Sequence, residues 1–159
     1  MKKTKYPVCE HILVLSPQPD APLQEPPLNE TTEEKKKRIK ENKRKAEEAI
    51  KLLHPNEIFE RVGERVFATQ EKIKSENFQN ELKIARESSD SGSTVYMVSD
   101  KSKYIKHYDT ITDGVKLEYK TVEGNVNSLG SAFRESRGQA PNVWIDLEKS
   151  KLTLVTRHC

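Results

Sequence analysis

The chain is short of cysteine, short of apolar residues and without a long hydrophobic run, and each shortage removes a class of protein. Its two cysteines, Cys9 and Cys159, stand near opposite ends of 159 residues, and neither has a second cysteine at metal-clip spacing. A disulfide framework and a cysteine-rich zinc site are therefore excluded, and the usage suits a reducing compartment. Cys9-Glu10-His11 offers a stray pair of metal ligands, and a plain thiol suits that position as well. The N-terminus begins basic, but the apolar run Ile12 to Leu15 has four residues, too few for the core of a secretory signal. Nothing in the chain approaches the roughly eighteen apolar residues of a membrane span. A cytoplasmic protein with no membrane partner is expected.

Hydrophobic residues make up only 33% of the chain and charged residues another 33%. That balance supports one domain with a modest core beside a polar, extended portion, and leaves no room for a second full domain. The net charge of +3 is mildly basic, which permits an anionic partner such as nucleic acid without demanding one.

What is present divides the chain into three. Residues 16 to 28, SPQPDAPLQEPPL, hold five of the eight prolines, which removes backbone donors and favours an extended, flexible arm over residues 1 to 29. The composition changes at Asn29. Thr31 or Thr32 can cap a helix, Glu33 and Glu34 suit its first turn, and Pro55 stops it, so a charged helix is expected over 30 to 54. Its basic run, Lys35 to Arg38 with Lys40, Lys43, Arg44 and Lys45, reads as a solvated face before it reads as a track for phosphates. The remaining residues, 55 to 159, form the packed α/β domain.

Within that domain, Ile58, Val62, Val66, Phe67, Ile73, Phe78, Leu82, Ile84 and Ala85 recur at helical spacing, which predicts one or two amphipathic helices across 56 to 88. Strands follow at 94 to 98, 108 to 112 and 115 to 122, the last two joined by Asp113-Gly114, a strong signal for a type I′ hairpin. A helix over 128 to 137 and strands at 142 to 147 and 152 to 155 complete an α+β fold, a central mixed sheet of about five strands with helices packed on it. Trp144 and Phe133 belong to its core in this reading.

The hairpin carries the chemistry. On its return strand Glu118 and Lys120 share one face while Leu117, Tyr119 and Thr121 share the other. Counting back equally from the turn sets Asp109 opposite Glu118, on the same side of the sheet. Two facing carboxylates repel unless a cation sits between them. A divalent ion with hard oxygen ligands, Mg²⁺ or Mn²⁺ with Zn²⁺ as a variant, resolves the conflict, and Lys120 can then orient an attacking water or steady a charged phosphorane. A salt-bridge ladder on a solvated sheet face uses the same residues without chemistry.

Asp109, the Gly114 turn and Glu118-Tyr119-Lys120-Thr121 together resemble the PD-(D/E)XK nuclease motif. The wider run from 93 to 147, with Gly92 just before it and Lys106 and Gln139-Ala140 within it, resembles the C-terminal toxin domains of CdiA, the contact-dependent inhibition proteins. Tyr108 stands where the motif's name has proline. The resemblance implies an endonuclease, acting on tRNA more often than on DNA, with a cognate immunity protein as partner. It makes Asp109 and Glu118 metal ligands, Lys120 the catalytic cation, and a glutamate on the preceding helix, Glu81 or Glu87, a supporting ligand. A barnase-like, metal-independent ribonuclease is the close rival, with His107, Lys120 and Thr121 as acid-base and phosphate-binding groups. Gln139, in a polar loop after a helix, is a further candidate for holding a phosphate or base, and an ordinary helix end explains that loop equally well. A non-catalytic module that binds nucleic acid through the arm and the basic helix is the remaining alternative.

Overall fold

A computed structural model describes residues 19–99, 107–136 and 141–148. Helix α1 (Thr32–Leu53) begins where its capping chemistry dictates. The Thr31 hydroxyl accepts the Glu34 amide, and the Glu34 carboxylate accepts the Thr31 amide in return, which satisfies two of the donors every helix start leaves free. It ends at His54, just before Pro55, as expected.

A six-stranded sheet follows, with strands in chain order from edge to edge: β1 (Phe59–Arg61), β2 (Val66–Thr69), β3 (Val95–Met97), β4 (Thr110–Thr112), β5 (Val115–Thr121) and β6 (Asn142–Asp146). The β2–β3 and β5–β6 pairs are parallel and the other three antiparallel, so the expected mixed α+β sheet is present with one strand more than about five. Between β2 and β3 run α2 (Gln70–Ile73) and α3 (Phe78–Asp90), and α4 (Val126–Ser136) joins β5 to β6.

Two of the six strands, β1 and β2, correct the helical reading of residues 56 to 88. Phe59 to Thr69 form the β1–β2 hairpin, and helix begins only at Gln70. Val62, Val66 and Phe67 match a helical period by chance; the amides of Val62 and Gly63 both donate to the Val66 carbonyl and close a tight turn instead. In so short a stretch a strand alternation and a helix stripe are hard to tell apart, and pairing to β3 decides.

Leu117 and Tyr119 join Val66, Ala68, Val95 and Met97 on one sheet face, where α3 contributes Phe78, Leu82, Ile84 and Ala85. Each large side chain buried there contributes on the order of 1.5–3 kcal/mol. The opposite face carries Tyr96, Ile111 and Lys116, which pair across the strands, and α1 lies against β3 and β4 there, burying Ala46, Ala49 and Ile111. Trp144 packs partly buried on the core, but Phe133 is 54% exposed, so only the first of the two aromatics is a core residue. The strand expected at 152 to 155 lies outside the described residues.

The described end of the proline-rich segment is tied down. The Pro19 carbonyl accepts the Lys116 amide at 2.8 Å, and Asn142 bridges to the Ala21 carbonyl and the Leu23 amide. Leu23 adds its side chain to the core. At the hairpin turn Asp113 has φ 51° and Gly114 φ 88°, the left-handed pair that a type I′ turn requires. A Cβ at Gly114 would stand 2.9 Å from the Lys45 carbonyl oxygen, so only glycine lets α1 approach the turn this closely.

Candidate functional site

Register in the hairpin is as the turn dictates: Thr110 faces Leu117 and Thr112 faces Val115. At Asp109 the ladder breaks step. The Asp109 amide donates to the carbonyl of Leu117, the residue already opposite Thr110, so two residues of the outgoing chain meet one of the return strand. That is a β-bulge, and it turns the Asp109 side chain toward the Thr110 side of the sheet. The carboxylate then accepts the Tyr119 amide at 2.8 Å, standing in for a ladder carbonyl.

The bulge corrects the expected trio. Asp109 points to the α3 face, where its other oxygen lies 3.6 Å from Lys72 Nζ. Glu118 points the other way, with Lys116 and Lys120, and is 2% exposed; its Oε1 lies 3.1 Å from Lys120 Nζ. Sequence alternation put Glu118 and Lys120 on one face correctly, but a bulge shifts a side chain as a register slip would.

On the α3 face a different group assembles. Glu81, in the first turn of α3, places Oε2 2.8 Å from Lys72 Nζ, and the side chains of Lys72 and Glu81 are 8% and 14% exposed. The Lys72 backbone is held in place, since its amide donates to Thr69 Oγ1 and its carbonyl accepts the Ser75 hydroxyl. Burial pushes the Glu81 carboxyl up to about 7, against the pull of Lys72 and with the nearby Asp109 carboxylate adding to the rise. A carboxyl that titrates near neutral pH is suited to take and return protons. Tyr119, alongside, has its phenol raised by burial.

Glu81 opens on a cleft of about 280 Å³ whose walls also include Asn77, Asn80, Tyr119, Lys120 and Thr121. Of the sequence candidates, the structure thus joins Asp109 to Glu81 through Lys72, sets Thr121 on the cleft wall beside Glu81, and turns the side chains of Glu118 and Lys120 to the other face. Glu87 is exposed further along α3. His107 belongs to another cluster: its ring stacks on Tyr108 at 4.2 Å, its Nδ1 bonds the Tyr108 carbonyl at 2.8 Å, and it lies 6.0 Å from the His54 ring. Gln139 lies outside the described residues, as do Lys106 and the Cys9-Glu10-His11 stretch. Lys72, Asn77 and Asn80 were not singled out by sequence. Lys72 sits in a four-residue helix, too short for any periodicity to mark it as buried.

The divalent metal implied by the resemblance does not fit this arrangement as three carboxylates on one ion. Glu118 lies across the sheet from Asp109 and Glu81, and the space between those two is filled by an ammonium. Among the described residues no group of three or more His, Cys, Asp or Glu side chains converges. Among the same residues no helix is long and apolar enough to cross a membrane.

Compared with protein-family models, with curated proteins and with solved structures, the chain matches none of them. The functional reading therefore rests on the cleft and on the motif likeness.

Proposed function

We propose that this chain is an endonuclease that cleaves phosphodiester bonds of nucleic acid, RNA before DNA and tRNA as its first substrate. One observation carries the reading: Glu81, with its carboxyl raised to about 7, meets Asp109 and Lys72 at the edge of a cleft whose walls also include Asn77, Asn80 and Thr121. A proton acceptor, a phosphate-sized space and a cation beside the acceptor are the parts that phosphoryl chemistry needs.

In this reading the Glu81 carboxylate takes the proton of the attacking hydroxyl as its oxygen bonds to phosphorus. The bond from phosphorus to the 5′ oxygen breaks, and that oxygen takes a proton from water. Asn77, Asn80 and Thr121 on the cleft wall offer donors to the phosphate oxygens, and Asp109 holds the Tyr119 amide and Lys72 so that Glu81 keeps its position. Action in the manner of contact-dependent inhibition toxins, with a cognate immunity protein over the cleft, rests on the motif likeness alone. Its test is co-purification with the product of a neighbouring gene.

The experiment for the activity itself incubates purified protein with a tRNA mixture and with plasmid DNA, in Mg²⁺, Mn²⁺, Zn²⁺ or chelator. Cleavage of tRNA that Glu81→Gln abolishes supports the reading. No cleavage of either substrate under any condition sinks it. Salt-sensitive binding without cleavage would favour a non-catalytic module instead.

A further inference from the structure

The two carboxylates of the cleft come from a bulged strand and from a helix, and one buried cation stands between them. Lys72 Nζ is 2.8 Å from Glu81 Oε2 and 3.6 Å from Asp109 Oδ1, and the residue is 6% exposed. An ammonium is removed from water at a cost of several kcal/mol unless carboxylates compensate it. Two adjacent carboxylates likewise need a positive charge. The lysine and the pair therefore hold each other in place. The groups that face Glu81 are Lys72 from α2, Asp109 from the bulge and Tyr119 from β5. A magnesium ion requires near-octahedral oxygen ligands at about 2.0–2.1 Å, and an ammonium at these distances occupies the same space.

Resting on the nuclease reading above, we propose that Lys72 is the cation of this centre, standing where a divalent ion would stand in a metal-dependent nuclease, and that cleavage at the cleft proceeds without a divalent metal. Lys72 is a positioning residue. Its ammonium keeps Asp109 and Glu81 together and lets Glu81 give up its proton near neutral pH. Without that ammonium the two carboxylates repel, and Glu81 holds its proton to higher pH.

The first test needs only the wild-type protein. Freed of metal by chelator and dialysis, it is titrated with Mn²⁺ while the free ion is followed by electron paramagnetic resonance. No stoichiometric binding below about 1 mM, the weak end of the range for protein divalent-cation sites, is expected. One Mn²⁺ bound per chain in that range, and lost in Glu81→Gln, overturns the proposal whether or not the protein cleaves RNA.

The second test follows tRNA cleavage against pH in chelator. The wild type keeps its rate there. Lys72→Met lowers the rate by about 100-fold and moves the pH midpoint to the alkaline side, whereas Lys72→Arg leaves the midpoint near the wild-type value. Loss of cleavage in chelator with recovery in Mg²⁺ overturns the proposal. If the wild type cleaves nothing, the nuclease reading has failed, and the Mn²⁺ titration still decides what Lys72 does.

Discussion

β4 runs between two aspartates. At its turn end Asp113 gives one oxygen to the Ser93 hydroxyl at 2.7 Å and the other to the Thr94 amide at 2.8 Å. At its open end Asp109 gives one oxygen to the Tyr119 amide and turns the other toward an ammonium that Glu81 shares. Both are partly buried, and burial raises Asp113 above its ordinary carboxylate value. The difference lies in the partners. The Ser93 hydroxyl and the Thr94 amide lock Asp113 into a structural clamp between the end of α3 and the hairpin. Asp109 instead shares an ammonium with Glu81, whose carboxyl is raised to about 7, and the proposed chemistry is placed at that end. Burial of a charge alone does not mark a candidate site; titratable company beside open space does.

Substitutions can break this contrast at either end. The largest effect is expected at Glu81→Gln, which preserves shape and removes the proton acceptor. Cleavage should fall by about 10²–10⁴-fold while the circular dichroism spectrum stays that of the wild type. Next comes Asp113→Ala, which strands the Thr94 amide and the Ser93 hydroxyl. Urea denaturation should report a loss of about 3 kcal/mol, with cleavage per folded molecule unchanged.

The pH dependence of stability sharpens the same comparison. The folded Glu81 carboxyl lies near 7 against an ordinary value of 4.5, so the folded state holds its proton more tightly than the unfolded one. Its contribution is favourable below the ordinary value and is lost as pH rises toward 7. Denaturation midpoints should therefore fall across that window by the equivalent of about 1–3 kcal/mol and should be flatter in Glu81→Gln. The smallest effect is expected at Glu118→Gln. Because Glu118 faces away from the cleft, cleavage should change by less than about tenfold, and a larger loss would put Glu118 back among the reacting groups.

Much of the scaffold was legible in the residues. Thr31 and Pro55 bound α1, and Asp113-Gly114 specifies both the hairpin turn and its register, because these signals act through local backbone geometry. The β1–β2 hairpin was not legible, since Val62, Val66 and Phe67 satisfy a helical period and a strand pairing equally, and only contact with β3 distinguishes them. Asp109 was singled out by residue type and spacing, whereas Glu81 and Thr121 were named only through the family resemblances, and alternation rightly kept Lys120 on the face of Glu118. The face of Asp109 was missed because a bulge leaves no mark in an alternating pattern. Lys72 was missed because an isolated lysine reads as surface until two distant carboxylates are seen to surround it.

The central claim is that Glu81, joined to Asp109 through Lys72, is the proton acceptor of an RNA-cleaving cleft. A pH–rate profile for tRNA cleavage by the wild type and by Glu81→Gln tests it most directly. The wild-type rate should climb through a midpoint near pH 7 and level off above it, with the variant at background throughout. Equal cleavage by the two proteins, or a wild-type rate that does not change between pH 5 and pH 8, where a base of this kind titrates, would contradict it.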